Sequence, residues 1–266
     1  MEITAPPHWH CVDFISDLHL HAQDDPTFQA WRTYLRETAA DAVFILGDLF
    51  EIWVGDDSIS LQPSFEKRCV DELHAAGQRL DLYIMRGNRD FLMGYRLMSA
   101  SRATLLEDPS LLAFGGERWL LTHGDGWCLD DVGYMEFRKQ VRNAQWQRDF
   151  LDKPLADRVE MARSMRAQSE ARKRLDMAFV DIDIPTANAH MLATKSRFLI
   201  HGHTHRPARQ MLDNHHERLV LSDWDMQAKP ARAEVLRLRS VGDDEKSTKF
   251  TVERMRPTAD TMNNGL

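Results

Sequence analysis

The fold is decided by a pattern that first occurs in residues 11–19, Cys-Val-Asp-Phe-Ile-Ser-Asp-Leu-His, where an apolar run leads into an Asp-x-His pair. Such a run predicts a buried strand that carries polar side chains at its carboxyl end. The pattern recurs at residues 41–48, which end in Gly-Asp, and at residues 80–90, which end in Gly-Asn-Arg-Asp. Helical patterns separate these runs, at residues 26–39 and 63–76. This alternation predicts an α/β protein in which helices pack on the faces of a sheet.

The second half of the chain contains further predicted strands that end in polar motifs. Residues 111–114 and 119–122 flank a Gly-Gly pair and predict a hairpin that leads into His-Gly-Asp at 123–125. Residues 197–200 predict a strand that leads into His-Gly-His-Thr-His at 201–205. Three further strands are predicted near residues 219–221, 233–238 and 249–254.

Residues 131–180 interrupt this pattern, because they contain no strand signal and predict two long helices broken near Lys153-Pro154. Residues 138–174 contain 11 basic and 5 acidic side chains, a local charge of +6 in a chain of net charge −7, which leaves −13 for the rest. We predict three parts: a core of residues 1–130 and 181–256, a helical insertion at 131–180, and a flexible tail at 257–266.

Composition narrows the class of protein. The 266 residues are 43% hydrophobic and 28% charged, which is typical of a globular protein and excludes disordered, collagen-like and coiled-coil classes. No apolar run approaches the roughly 20 residues that a membrane-spanning helix needs. The three cysteines Cys11, Cys69 and Cys128 contain no Cys-x-x-Cys pair, which predicts neither a disulfide framework nor a zinc knuckle. The net negative charge predicts that nucleic acid is not a partner.

Oxygen and imidazole donors follow the predicted strands. Open α/β sheets place their sites outside the carboxyl ends of strands, so we expect these donors to converge. A donor set without thiolates suits divalent ions such as Mn²⁺, Fe²⁺, Mg²⁺ or Zn²⁺. Seven donors are too many for one ion and suit two ions that share a carboxylate. The predicted ligands are Asp17, His19, Asp48, Asn88, His123, His203 and His205.

Each motif alone has an ordinary structural explanation. An Asp-x-His pair often occurs by chance, Gly-Asp is most often a turn, and Gly-Asn-Arg-Asp could be a type I′ turn. His123 by itself is more often a core histidine than a ligand, and residues 201–205 could be a His-rich loop. The five motifs in this order, each after an apolar strand, favour a metal site.

The ordered motifs resemble the calcineurin-like metallophosphoesterase family over residues 12–224. This resemblance implies a two-layered β-sandwich flanked by helices, with two divalent metal ions. One ion would be held by Asp17, His19, Asp48 and His205, and the second by Asp48, Asn88, His123 and His203, so that Asp48 bridges them. Catalytic roles are implied for Asp48, Asn88, Arg89 and His123.

Arg89 departs from the wider family, which usually has histidine after the Gly-Asn pair. A guanidinium cannot act as a general acid near neutral pH. It can donate two parallel hydrogen bonds to phosphoryl oxygens and stabilise charge in a transition state.

Longer runs occur at residues 47–51 (Gly-Asp-Leu-Phe-Glu), 53–57 (Trp-Val-Gly-Asp-Asp), 87–91 (Gly-Asn-Arg-Asp-Phe), 201–207 (His-Gly-His-Thr-His-Arg-Pro) and 221–224 (Leu-Ser-Asp-Trp). These runs resemble one branch of the family, the UDP-2,3-diacylglucosamine pyrophosphohydrolases of lipid A biosynthesis. The resemblance implies that water attacks the uridylyl phosphorus of UDP-2,3-diacylglucosamine, giving UMP and 2,3-diacylglucosamine 1-phosphate, with Mn²⁺ as the metal. One alternative is a phosphoesterase with the same metals that acts on a soluble nucleotide or phosphodiester. Another is a non-enzymatic protein that binds anionic lipid.

In that branch a helical cap covers the site, so the resemblance implies that residues 131–180 contact the UDP-linked diacyl sugar lipid. Basic residues suit the diphosphate and anionic headgroups, and Met, Trp and Phe suit acyl chains. Alternatively, Trp146, Phe150, Met161 and Met165 pack the helices together. From the basic and apolar residues of the helical insertion we expect a peripheral enzyme on the cytoplasmic face of the inner membrane. The implied substrate contacts are Asn88, Arg89, Asp131, Ser169 and His203. The lysine that the resemblance leads us to expect near position 176 is absent, and Lys173 or a neighbouring arginine would take its place.

Overall fold

Two six-stranded sheets form the body of the protein. The computed structural model describes residues 1–61, 63–175, 180–241 and 249–257, without the side chains of residues 168–175, 241 and 249. Within these ranges the strands are β1 (Glu2–Thr4), β2 (Cys11–Ile15), β3 (Ala42–Leu46), β4 (Asp81–Met85), β5 (Thr104–Leu106), β6 (Ser110–Phe114), β7 (Glu117–Thr122), β8 (Phe198–His201), β9 (Ala208–Met211), β10 (Glu217–Val220), β11 (Val235–Val241) and β12 (Lys249–Met255). The first sheet has the order β12–β11–β2–β3–β4–β5, and the second has the order β1–β6–β7–β8–β10–β9.

Helices cover the outer faces of both sheets. Those described are α1 (Asp25–Glu37), α2 (Phe65–Ala76), α3 (Tyr95–Ser101), α4 (Val132–Val141), α5 (Ala144–Leu151), α6 (Leu155–Leu175) and α7 (Ile184–Thr194). Helices α1 to α3 pack on the first sheet. Helix α7 packs on the second sheet. None of the described helices is both long and apolar enough to cross a membrane.

The alternation of side chains along β2 explains why the two sheets stack. Val12 and Phe14 point into the core between the sheets, whereas Cys11 and Ile15 point toward the helices. A strand that is apolar on both faces must be covered on both faces, as buried parallel strands are. Phe14 stacks on Phe44 of the neighbouring strand with ring centroids 5.2 Å apart. The predicted two-layered sandwich flanked by helices is confirmed.

The hairpin predicted around the Gly-Gly pair is present as β6 and β7. Phe114 pairs with Glu117 across a two-residue turn. Gly115 and Gly116 both have positive φ, 62° and 75°, which a type I′ turn requires.

Some predicted elements differ from the structure. Helix α2 begins at Phe65 rather than at residue 63, because the Ser64 side chain caps it by accepting from the Lys67 amide. Strands β1, β5 and β9 and helix α7 were not predicted, and the three strands are short, with three or four residues each. Short edge strands have too few residues to show a period.

The prediction of two long helices in residues 131–180 was wrong, because the described residues 131–175 already form three, α4, α5 and α6. The Asn143 side chain accepts from the amides of Gln145 and Trp146 at 2.9 and 3.1 Å and so starts α5 one turn after α4 ends. The break near Lys153-Pro154 is confirmed, since α5 ends at Leu151 and α6 begins at Leu155.

The helical segment, residues 131–175, packs against the body rather than standing apart from it. Phe150 is 3% exposed and belongs to the core between the first sheet and its helices. The ring of Trp146 stacks on that of Phe150, with the ring centroids 5.0 Å apart. Arg158 of α6 is 2% exposed and forms an ion pair with Asp57. The hydrogen bond from Arg158 lowers the pKa of the Asp57 carboxyl. The predicted boundaries of the insertion and core stay a prediction, and residues 258–266 of the predicted tail lie outside the described part of the chain.

Candidate metal centre

The two sheets bring the predicted donors to one edge of the sandwich. Strands β2, β3 and β4 are parallel neighbours in the first sheet, and β7 and β8 are parallel neighbours in the second. The loops that follow the carboxyl ends of these five strands carry the seven predicted ligands. Their backbone is unusual, because five of the seven have a φ between 49° and 66°: Asp17, His19, Asp48, His203 and His205. This left-handed conformation costs roughly 1–2 kcal/mol per residue outside glycine, and such strain concentrates at functional sites.

Asp17, His19 and His205 form the first group of ligand atoms. Their ligand atoms lie within 4.8 Å of one another. The Nε2 atoms of His19 and His205 are 3.2 Å apart, and His205 Nε2 lies 3.3 Å from Asp17 Oδ1. Asp17 Oδ1 is buried and accepts no hydrogen bond of good geometry in the described residues. A buried carboxylate oxygen left open beside two imidazole nitrogens fits a divalent cation.

Asp48 lies between this first group and a second group of predicted ligands, which consists of Asn88, His123 and His203. Its Oδ2 is 4.0 Å from His19 Nδ1 and 3.7 Å from His123 Nε2, while its Oδ1 accepts from the Arg89 amide at 2.8 Å. Asp17 also lies within 4.8 Å of Asp48 and His123. The two sets of donors therefore meet at Asp48, the position that the sequence predicts for the bridging ligand.

Asn88 lies between the two remaining predicted ligands, His123 and His203. Its Oδ1 lies 3.1 Å from His123 Nε2 and 2.8 Å from His203 Nδ1. His123 is held from behind, with its Nδ1 2.9 Å from the carbonyl oxygen of Leu46. The structure thus brings all seven predicted ligands together, and their division between two ions stays a prediction.

Two glycines allow the loops to approach this closely. A Cβ on Gly87 would lie 2.1 Å from Asp48 Oδ1, and a Cβ on Gly47 would lie 2.4 Å from His123 Nδ1. Gly47 also has a φ of 91°, which side chains other than glycine rarely adopt. The glycine before Asp48 and the one before Asn88 are therefore required by the geometry of the site.

Burial and charge shift the pKa values of the histidines in opposite directions. Burial lowers the pKa of His19 and of His203 to about 4, which keeps both rings neutral and able to act as ligands. Burial also acts to lower the pKa of His123, but Asp48 and Asp17 outweigh it and raise that pKa to about 9. A proton on His123 thus compensates the two buried carboxylates. A divalent cation between them would supply the same compensation, so the electrostatics also fit a metal.

Asp90 was not predicted to have a role, although it lies in the Gly-Asn-Arg-Asp motif. It is fully buried, and its carboxylate accepts from three amides: Gly87 at 2.7 Å, Leu49 at 2.8 Å and Phe50 at 3.3 Å. Asp90 therefore ties the loop of Asp48 to the loop of Asn88. Burial and the charge of Asp48 raise its pKa to about 7.

Asp125 is a second carboxylate that motif analysis passed over, two residues after His123. Arg138 Nε donates to its Oδ2 at 2.8 Å, and the Tyr134 hydroxyl donates to the same oxygen. Both partners come from α4. Arg142, which follows α4, donates to the Gly87 carbonyl at 3.0 Å. These contacts attach the start of the helical segment to the loops of the metal centre.

The predicted substrate contacts occupy different surroundings. Arg89 is half-buried, and its positive charge contributes, after burial and the nearby His205, to the lowered pKa of His19. Asp131 caps α4 by accepting from the Tyr134 amide at 2.9 Å. Ser169 and Lys173 lie on α6, and their side chains are outside the described residues.

The packing of Trp146, Phe150 and Met161 on the core favours the alternative in which they hold the helices in place.

Comparison with known proteins agrees with this geometry. A family model, Calcineurin-like phosphoesterase, matches residues 12–207. The chain is 45% identical over 224 residues to the UDP-2,3-diacylglucosamine hydrolase of Chromobacterium violaceum, covering 80% of this chain and 90% of that protein. It is 41% identical to the proteins of the same name from Bordetella pertussis, over 79% of this chain and 84% of that one, and from Ralstonia nicotianae, over 86% and 89%. The chain therefore belongs to the calcineurin-like phosphoesterase family, in the branch whose curated members are named UDP-2,3-diacylglucosamine hydrolase.

Proposed function

We propose that this chain is a metal-dependent hydrolase that cleaves the pyrophosphate of UDP-2,3-diacylglucosamine, giving UMP and 2,3-diacylglucosamine 1-phosphate. The observation that carries the proposal is the position of Asp48, whose Oδ2 faces His19 on one side and His123 on the other. Relatives of that name at 41–45% identity support the same substrate.

Asp17, His19, Asp48 and His205 would hold one divalent ion, and Asp48, Asn88, His123 and His203 would hold the other. When bound, such ions acidify a water molecule and neutralise charge that develops on phosphoryl oxygens. Oxygen and imidazole donors without thiolate suit Mn²⁺. The open carboxylate oxygen of Asp17 and the lowered pKa of His19 support this assignment.

Arg89 suits a substrate whose leaving group is a phosphate. A phosphodiester that releases an alkoxide needs a proton at the leaving oxygen, and an arginine cannot supply one. A sugar 1-phosphate leaves as a phosphate monoester with a second pKa near 6, so it needs no proton at neutral pH. The guanidinium of Arg89 instead donates to phosphoryl oxygens and stabilises their developing charge. This favours a pyrophosphate substrate over the simple phosphodiester alternative.

The helical segment supplies positive charge beside an acidic metal-binding body. Residues 138–174 carry +6, and Arg138 and Arg142 reach the loops of the metal centre. Basic side chains of this kind favour anionic headgroups and a membrane surface that contains anionic lipid. We propose that the protein works as a peripheral enzyme on the cytoplasmic face of the inner membrane.

Release of UMP tests the proposal. The purified protein is incubated with Mn²⁺ and UDP-2,3-diacylglucosamine in detergent micelles, beside UDP-N-acetylglucosamine and bis(p-nitrophenyl) phosphate. We expect UMP from the diacylated substrate, little reaction with the other two, and no reaction in EDTA. Rapid cleavage of the simple diester without UMP release would establish the alternative function instead.

A further inference from the structure

The two histidines of the first group share an arrangement that the metal assignment does not explain. Their Nε2 atoms face each other at 3.2 Å, too close for both to carry protons. Behind each ring a carboxylate oxygen lies near Nδ1, Glu51 Oε2 at 3.3 Å from His19 and Asp223 Oδ2 at 3.7 Å from His205. These are close contacts rather than hydrogen bonds of good geometry. A carboxylate at Nδ1 favours the tautomer that leaves the Nε2 lone pair free for a metal ion.

Each carboxylate is in turn paired with an arginine. Arg232 donates to both oxygens of Asp223, at 3.0 Å from Nε and 2.8 Å from Nη2. Arg166 pairs with the Glu51 carboxylate, and its Nη1 also lies 3.4 Å from the Glu51 carbonyl oxygen. Both carboxylates are thereby held in one orientation.

The two arginines come from different parts of the protein. Arg232 lies nine residues from Asp223 in the same loop. Arg166 lies on α6, in the helical segment, and 115 residues separate it from Glu51. The side chains of Glu51 and Arg166 are 16% and 25% exposed, so solvent screens their attraction only in part.

We propose that Glu51 and Arg166 are positioning residues for His19, through which helix α6 helps to build the metal site. Arg166 pairs with Glu51, the Glu51 carboxylate lies beside Nδ1 of His19, and His19 would present Nε2 to the ion. The helical segment then does more than contact substrate, because its docking and metal binding stabilise each other by reciprocal linkage. The inference rests on the metal-binding part of the proposed function and not on the identity of the substrate.

Binding of Mn²⁺ alone tests the proposal without any turnover. Metal-stripped protein is titrated with Mn²⁺ and the free ion is measured by electron paramagnetic resonance, for wild type, Glu51→Gln and Arg166→Gln. Loss of a group behind a ligating histidine lowers metal affinity by roughly 10–100-fold. We expect a loss of this size for one of the bound ions in both variants, with unchanged circular dichroism and melting temperature in EDTA.

Arg163→Gln is the matched control, because it removes the same charge from an exposed position of the same helix. It should bind Mn²⁺ as wild type does. Wild-type affinity in Arg166→Gln, an equal loss in Arg163→Gln, or no Mn²⁺ binding by wild type would each overturn the proposal. If Mn²⁺ binds as expected but UMP is not released, only the proposed substrate is wrong.

Hydrogen exchange measures the reverse effect, which is the stabilisation of helix α6 by bound Mn²⁺. Mn²⁺ should slow amide exchange in peptides covering residues 155–167 of wild type, and this protection should disappear in Glu51→Gln and Arg166→Gln. Asp223→Asn perturbs His205 without touching α6, so Mn²⁺ should still protect α6 once the ion is bound. Equal protection in all variants would refute the coupling.

Discussion

Substitution of Asp90 by asparagine should weaken the fold and the metal centre together. Asp90 is fully buried and its carboxylate accepts from three amides on two loops. One of those loops carries Asp48 and the other carries Asn88. Asparagine has nearly the same volume, so the change removes an acceptor without creating a cavity.

The expected magnitude follows from the count of hydrogen bonds. Oδ1 of Asp90 accepts from the Gly87 amide, and Oδ2 accepts from the amides of Leu49 and Phe50. If the side-chain oxygen of the substituted asparagine keeps the hydrogen bonds to Leu49 and Phe50, its NH₂ group faces the Gly87 N–H, which loses its acceptor. One buried unsatisfied donor costs about 1–3 kcal/mol, which lowers the melting temperature by roughly 2–12 °C in a chain of this size. Alanine would leave three donors unsatisfied, at about 3–9 kcal/mol, which is comparable to the whole stability of a domain. Asparagine is therefore the informative variant.

The effect on turnover should be larger than the effect on stability. A displacement of about 1 Å in a catalytic group can lower the rate by about 100-fold, and the Gly87 amide directly precedes Asn88. The melting temperature in EDTA measures the loss of stability, and kcat/KM for UMP release measures the loss of catalytic activity. Asp71→Asn, at an exposed position of α2 where Asp71 pairs with Lys67, is the control and should change neither. A variant at Asp90 that melts within 1 °C of wild type and retains half its activity would refute the role of Asp90 in joining the loops.

Three further substitutions test individual contacts. Asp48→Ala should abolish turnover and reduce bound Mn²⁺ measured by elemental analysis, because both donor groups meet at this carboxylate; retained activity with full metal content would contradict the bridging role. Arg89→Ala should lower kcat by about 10²–10³ while Mn²⁺ affinity stays unchanged, since only the Arg89 amide contacts Asp48; near-normal kcat would remove Arg89 from the mechanism. Gly87→Ala should prevent Mn²⁺ binding in a titration, because its Cβ would lie 2.1 Å from Asp48 Oδ1, whereas Gly133→Ala, with its nearest neighbour at 3.9 Å, should bind normally.

The sandwich could be predicted because its signals are local and repeated. Residues 42–46 are all apolar and residues 11–15 are apolar apart from Asp13, and polar motifs follow each run at the point where a strand must end. The Asp-x-His, Gly-Asp and Gly-Asn motifs therefore placed the predicted ligands at strand ends before their neighbours in space were known. The break at Asn143 was missed because its capping side chain lies within a continuous helical pattern, where Asn is also tolerated.

The carboxylates that support the ligands could not be assigned in the same way. Asp90, Asp125, Glu51 and Asp223 all lie inside or beside the motifs, yet a carboxylate next to a ligand can as easily face solvent. Their roles depend on partners that are remote in sequence, such as Arg166 for Glu51 and the Leu49 amide for Asp90. No period or spacing in the chain encodes those pairs.

The sequence by itself predicted the strands that precede the motifs and the seven candidate donors, because these depend on hydrophobic periodicity and on residue types at short spacing. The ordered motifs also carried the resemblance to the family. Only the tertiary structure decided the order of the strands in the two sheets, the position of Asp48 Oδ2 between His19 and His123, the left-handed backbone of five predicted ligands, and the contact of α6 with Glu51 through Arg166. Distances between side chains on different loops follow from how two sheets and a helical segment pack. Packing is a property of the whole chain, and a local pattern does not specify it.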